Sequence, residues 1–263
     1  MPFKQKNRHD AYTTGEEFDF TDIFDAGRND RAKLGFVLLA TEQTIEENMF
    51  RLCPPGVGVH FTRAANPDSI TVESLTLQAE DLARAASTLL PDGSLNVIGY
   101  ACTSGSLVIG EDRVFAELSK GAPKAQVTSL ISGVLRALRA VSAKKIAVAT
   151  PYLDEINQRE AIYMERAGFE ICNIRGLQLE KDSDMIRVRP DAIARLAKSV
   201  DHPEADALFI SCGALRSIDI VQDLENELGK PVICSNQAMM WDMLRLADIE
   251  DRIEGYGQLL REH

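Results

Sequence analysis

No stretch of the 263 residues stays apolar for the roughly eighteen positions that a membrane-crossing helix needs. The opening from Met1 to Asp30 is polar and lacks the apolar centre of a secretion signal, so a cytoplasmic protein is expected. Cysteine is sparse. The five present show no CxxC or Cys/His spacing, which excludes a recognisable zinc site, and in the cytoplasm they are not a disulfide framework. Glycine-rich loops of the Walker or dinucleotide-binding type are missing. None of the four histidines, His9, His60, His202 and His263, stands beside a candidate nucleophile, so a Cys-His hydrolase has little support. Positive charge is short too: 29 Lys and Arg against 40 Asp and Glu leave a net charge of −11, which argues against nucleic acid and membranes as partners. Aromatics make up only 6%, yet 45% of residues are hydrophobic, enough for one large or two medium cores.

What the chain does contain is a repeated pattern. Gly99-Tyr100-Ala101-Cys102-Thr103-Ser104-Gly105 and Phe209-Ile210-Ser211-Cys212-Gly213-Ala214-Leu215 each end an apolar run with a cysteine followed by small residues. Such a run reads as a buried parallel strand, and the turn after it lies where open α/β sheets bind ligands. Both thiols are therefore expected at helix N-termini, where free N–H groups and the helix dipole favour a thiolate near neutral pH. Cys172 and Cys234, inside apolar runs, read as inert core residues and Cys53 as a loop residue.

Short strands rich in Val, Ile and Phe are predicted at Leu34–Ala40, Val57–Phe61, Leu95–Tyr100, Lys145–Ala149, Phe169–Ile174, Ala207–Ser211 and Pro231–Cys234. Helical spacing fills Ser74–Leu90, Gly110–Lys120, Ser129–Val141, Glu155–Ala167, Asp191–Ser199, Ile218–Leu228 and Gln237–Leu246. The acidic runs Glu42–Glu47 and Asp248–Glu254 read as solvated helix faces, with Glu42 itself the exception. This βαβ succession implies an α/β fold with parallel sheets. Likeness of LNVIGYACTSG to ALFISCGALRS, and of LGFVLLATEQT to KIAVATPYLDE, divides the chain into two halves. The expected units are an N-terminal arm (1–30), a first α/β domain (31–128 plus 236–263) and a second (129–235).

The two cysteine segments, Ala149-Thr150-Pro151-Tyr152-Leu153-Asp154-Glu155, and Pro231-Val232-Ile233-Cys234-Ser235-Asn236-Gln237-Ala238 resemble the aspartate/glutamate racemase superfamily. Within it they are most similar to the branch of maleate isomerases, arylmalonate decarboxylases and ectoine-utilisation proteins. The resemblance implies two pseudo-symmetric flavodoxin-like domains with an interdomain cleft, and chemistry without cofactor or metal at Cys102 and Cys212. Acid and base on opposite faces of a substrate carbon need two groups across a cleft, and thiol with thiolate serve both roles. An enediolate requires donors aimed at the carboxylate oxygens. The backbone N–H groups of Thr103, Ser104, Gly213 and Ala214, the Thr103 hydroxyl, Tyr152 in the family's ATxYxD segment, and Thr128 are the candidates.

Where maleate isomerases carry carboxylate-gripping asparagines, this sequence has Glu42 and, by a looser correspondence, Asp182. An ionised carboxylate cannot donate to a carboxylate and repels it. The expected function is therefore a racemase or isomerase of a small nitrogen-containing carboxylic acid, an amino acid or ectoine-related compound, working as a homo-oligomer. The alternatives are maleate-type cis–trans isomerisation, decarboxylation (against which Cys102 counts, since the resemblance implies decarboxylases with the second cysteine only), and non-catalytic binding of a small carboxylate.

Overall fold

The computed structural model describes residues 23–263, and positions 1–22 of the expected N-terminal arm lie outside the described residues. The first half runs β1 (Ala32–Leu39), α1 (Ile45–Leu52), β2 (Val57–Ala64), α2 (Val72–Leu77), α3 (Leu82–Ser87), β3 (Val97–Tyr100), α4 (Thr103–Ile109), α5 (Glu111–Gly121), β4 (Gln126–Ser129) and α6 (Leu130–Ala140). The second runs β5 (Lys145–Thr150), α7 (Asp154–Arg166), β6 (Glu170–Gly176), α8 (Asp182–Met185), α9 (Pro190–Val200), β7 (Ala207–Ile210), α10 (Val221–Leu228), β8 (Val232–Cys234), α11 (Ser235–Leu246) and α12 (Gln258–Glu262).

Each half forms a four-stranded parallel sheet, in the orders β2-β1-β3-β4 and β6-β5-β7-β8. Adding four to each number of the first order gives the second, so the repeat seen in the sequence is a repeat of topology. The strands flanked on both sides are the apolar ones: Phe36 to Leu39 in β1 and Ile146 to Thr150 in β5 are all buried. Phe36, Val37, Leu38, Leu39, Ile146 and Val148 each contribute about 1.5–3 kcal/mol by leaving water. β2 and β6 sit at sheet edges and are only part-buried.

Two helices join the halves. α6 follows β4, α11 follows β8, and the pair pack on each other with contacts to both sheets. Gly133 lets them approach closely, since a Cβ there would lie 3.1 Å from the Ala238 carbonyl oxygen.

Several elements differ from expectation. β4 is a strand that the sequence hides, because its outer residues Gln126 and Val127 are not fully buried and it is only four residues long. The helix expected over Ser74–Leu90 breaks around a 3-10 turn, Gln78–Glu80, where Gln78 accepts the Tyr100 hydroxyl and Asp81 accepts the Ala65 N–H. Ile218–Leu228 becomes helical only at Val221, and residues 248–254 are not helical; Asp251 there pairs with Arg31. No helix among the described residues is long and apolar enough to cross a membrane.

Candidate active site

Open parallel sheets place ligands beyond the carboxyl ends of their strands. β3 and β7 occupy the same place in their sheets, and Cys102 and Cys212 each stand two residues beyond the strand end. Both thiols line one cleft, with Tyr152, Glu42, Asp182 and the turns Thr103-Ser104 and Gly213-Ala214. A roomier hollow of about 120 Å³ at Leu89–Leu95 and Gly121–Ala125 lies at the opposite, amino end of β3 and β4 and is lined by no cysteine.

The two cysteines differ in backbone. Cys102 is extended and caps α4, its sulfur accepting the Gly105 N–H at 3.2 Å. Thr103 and Ser104, the first residues of α4, have no helical partner for their N–H groups. Cys212 has φ 95°, a strained conformation for a side chain with a Cβ, and is followed by turns. This corrects the expected helix N-terminus at Cys212. Residues held in such conformations cost about 1–3 kcal/mol and cluster at functional sites. Gly213 leaves no room either, since a Cβ would meet Ile45 Cδ1 at 2.8 Å and Asn236 Oδ1 at 3.0 Å.

The strained turn is held by residues that the sequence marked only by likeness. The Ser235 hydroxyl accepts the Cys212 N–H at 3.0 Å and lies 3.0 Å from the Thr103 hydroxyl, so one side chain ties both cysteine turns together. Asn236 donates to the Gly213 carbonyl at 2.8 Å and to Asn48 at 2.9 Å. Leu39, Ile70 and Met185 add apolar walls. A cysteine, serine and asparagine after a strand have no spacing signature, so only their tertiary position reveals them.

The acidic residues are in the cleft, with more than one task. Glu42 Oε1 accepts the N–H groups of Gln43, Thr44 and Ile45 at the start of α1, so it is buried rather than on a solvated face. Asp182 accepts the Thr41 hydroxyl at 2.6 Å. Its loop is clasped to the other half: Asp182 N donates to the Asp68 carbonyl, Ser183 donates to the Asp68 carboxylate, and Ile70 N donates to the Glu180 carbonyl. Thr128, by contrast, does not line the cleft. Its hydroxyl is engaged with Asp242 and Arg136, each at 2.7 Å, where α6 meets α11.

Burial dominates the electrostatics and reverses the expected thiol acidity. Cys102 is pushed up to about 11 by desolvation, against the Gly105 N–H and Ser104 hydroxyl, with the Asp182 charge adding to the rise. Cys212 is raised further, by desolvation and then by Asp182, against the Tyr152 hydroxyl and the Ala214 N–H. A cleft of about 10 Å³ explains this: the halves close on the thiols, and water that would solvate a thiolate is excluded. Cys234 is pushed up to about 12 by burial, whereas Cys53 and Cys172 are only part-buried.

Glu42 is pushed up to about 7 by burial, with Asp182 adding to the rise, and burial alone takes Glu160 to about 7. Both carboxyls hold protons in the folded chain that the unfolded chain releases above about pH 4.5, so their effect on stability is lost as pH rises toward 7. Carboxylates held low, such as Asp191 between Arg189 and Arg195, weaken the fold only below the ordinary carboxylate range. Thermal melting should therefore occur at higher temperature near pH 5.5 than near pH 8, by about 2 kcal/mol per buried carboxyl. A melting temperature that is flat or rises over this interval would contradict the assignment.

The family profile described as "Arylmalonate decarboxylase" matches residues 66–260. A maleate isomerase of Nocardia farcinica is 29% identical over 240 residues, spanning 88% of this chain and 96% of that protein. An arylmalonate decarboxylase of Bordetella bronchiseptica is 32% identical over 138 residues, 51% of this chain and 58% of its own length. Among solved structures, a cysteine-to-serine mutant of the N. farcinica maleate cis–trans isomerase, carrying a covalently bound succinylcysteine intermediate, superposes with TM-score 0.81 at 27% identity. It covers 88% of this chain and 99% of that one.

Proposed function

Because the chain belongs to the arylmalonate decarboxylase family, we propose that it is a cofactor-independent isomerase of a small unsaturated carboxylic acid, acting through Cys102 and Cys212. The observation that carries this reading is the placement of both thiols, from equivalent strands of two halves, in one cleft. Maleate isomerases recur among the relatives, and a succinylcysteine in one of them is what thiol addition to a carbon–carbon double bond leaves. The comparisons therefore favour cis–trans isomerisation over the racemisation of a nitrogen-containing acid.

The chemistry assigns different work to each sulfur. Cys102, the less perturbed thiol, whose sulfur accepts the Gly105 N–H at the start of α4, is the nucleophile. Its thiolate adds to the carbon β to the carboxylate, the π pair moves toward the carboxylate, and Cys212 delivers its proton to the α-carbon. The former double bond is now single and rotates. Cys212 then retakes a proton from the α-carbon, the pair re-forms the double bond in the trans sense, and the Cys102 sulfur leaves with its bonding electrons. Backbone N–H groups of Thr103, Ser104, Gly213 and Ala214 hold the carboxylate as charge builds on it. Tyr152 supports the Cys212 sulfur when the proton is away.

One observation favours a second reading: Glu42 and Asp182 line the cleft, and among the described residues no Lys, Arg or His does. A substrate with one carboxylate and a cationic nitrogen would suit that wall better than a dicarboxylate. Proton NMR in D₂O separates the two. The first reading expects maleate to become fumarate. The second expects deuterium at the α-carbon of amino acids or ectoine-related compounds, with maleate untouched. Turnover of neither class would leave the isomerase reading without support.

A further inference from the structure

Glu160 lies in the middle of α7 and is fully buried, yet neither carboxyl oxygen has a hydrogen-bond partner among the described residues. An unpaired buried carboxyl is costly, and an apolar side chain would fill the position without that cost. Its surroundings are specific. The Ser211 hydroxyl, also buried and without a close partner, is the group that acts on the carboxyl, and Ser211 directly precedes Cys212. Buried Tyr152 shares the cleft with Cys212 and feels both the Glu160 charge and that of a Cys212 thiolate. Among the described residues no cation compensates. α4, packed on α7 from the other half, carries no charged residue, and on β6 Glu170 pairs with Lys145 while Arg175 is exposed.

We propose that Glu160 is a positioning residue that sets the acidity of Cys212 from behind the cleft. Uncharged, its carboxyl faces Ser211 as a donor and leaves the Tyr152 hydroxyl free to hold a Cys212 thiolate. Ionised, it puts a negative charge behind Tyr152 and Cys212 and keeps the thiol protonated. Because burial pushes the carboxyl up to about 7, the change falls near neutral pH. Glu42 and Asp182 act on the same sulfur from the cleft side, equally in the parent and in a Glu160 variant. The proposal rests on Cys212 as the proton-carrying thiol, but it can be read on the thiol itself, without turnover.

The experiment is iodoacetamide alkylation of the full-length protein between about pH 6 and 9, with Cys212 followed by peptide mass spectrometry and part-buried Cys172 as internal standard. In the parent, the rise of the Cys212 rate with pH flattens above about pH 7, as Glu160 ionises. In Glu160→Gln the flattening disappears, and the rate near pH 8.5 exceeds the parent's by about five- to tenfold, while near pH 6 the two agree within about twofold. Ser211→Ala removes the hydroxyl that stabilises the carboxylate and should move the inflection to higher pH. Parallel profiles for the parent and Glu160→Gln, including a uniform acceleration at every pH, would overturn the proposal. Should Glu160→Gln not fold, an inflection unmoved in Ser211→Ala would do the same. Failure of the isomerase reading would show instead as retained turnover in Cys212→Ser, with the alkylation profile intact.

Discussion

Replacing either Cys102 or Cys212 by serine is expected to lower turnover by about three to four orders of magnitude, at the upper end of what one positioned proton donor or nucleophile contributes. A serine hydroxyl is isosteric enough to leave the turn intact but far too weakly acidic to exchange the proton, and its neutral oxygen is a poor nucleophile. The two variants should nevertheless differ. In Cys212→Ser the Cys102 thiol is still present, so intact-protein mass spectrometry with an unsaturated substrate should find a species heavier by one whole substrate molecule, since addition releases nothing. Cys102→Ser should form no such species. Full activity in both variants would remove the two-thiol mechanism, while an adduct on Cys212 alone would exchange the roles assigned to the two sulfurs.

Neutralising the acidic wall should have the next largest effect, and on preference rather than on rate. Glu42→Gln keeps an oxygen for the three N–H groups at the start of α1 but removes the charge, and Asp182→Asn keeps an acceptor for the Thr41 hydroxyl. Each is expected to improve kcat/KM for a dicarboxylate, relative to a substrate with one carboxylate and one cationic nitrogen, by about tenfold. The parent should show the same trend with pH. Below about 7 Glu42 is protonated and can donate to a second carboxylate, and above it the ionised group repels one, so dicarboxylate affinity falls as pH rises. An unchanged preference in both variants would mean that the acids only hold the loops that carry them, and the case for a nitrogen-bearing substrate would lapse.

Much of this site was legible in the chain because its two halves repeat. The apolar runs before Cys102 and Cys212 had to be strands of one kind, and strands of one kind in parallel sheets put their turns at the same end. Tyr152, Glu42 and Asp182, chosen by likeness, all reach the cleft. Thr128 does not, because its neighbours Arg136 and Asp242 come from helices whose meeting no local pattern announces. Ser235 and Asn236 escaped for the converse reason: they act on turns far away in sequence, across 23 residues in the bonds to Cys212 and Gly213.

Sequence by itself determined the α/β class, the duplication, the places of seven of the eight described parallel strands, and which two of five cysteines stand at matching places in the two halves, because hydrophobic periodicity and repetition are properties of the chain. Only the tertiary structure decided that Cys212 sits at positive φ in a turn instead of at a helix N-terminus, that Glu42 is buried beneath α1, and that Glu160 stands behind the site. It also decided the sign of the thiol shifts. A helix N-terminus lowers a thiol's pKa over a few ångströms and can be read from neighbours in sequence. Desolvation depends on how two halves close over the sulfur, and in this cleft it is the larger effect.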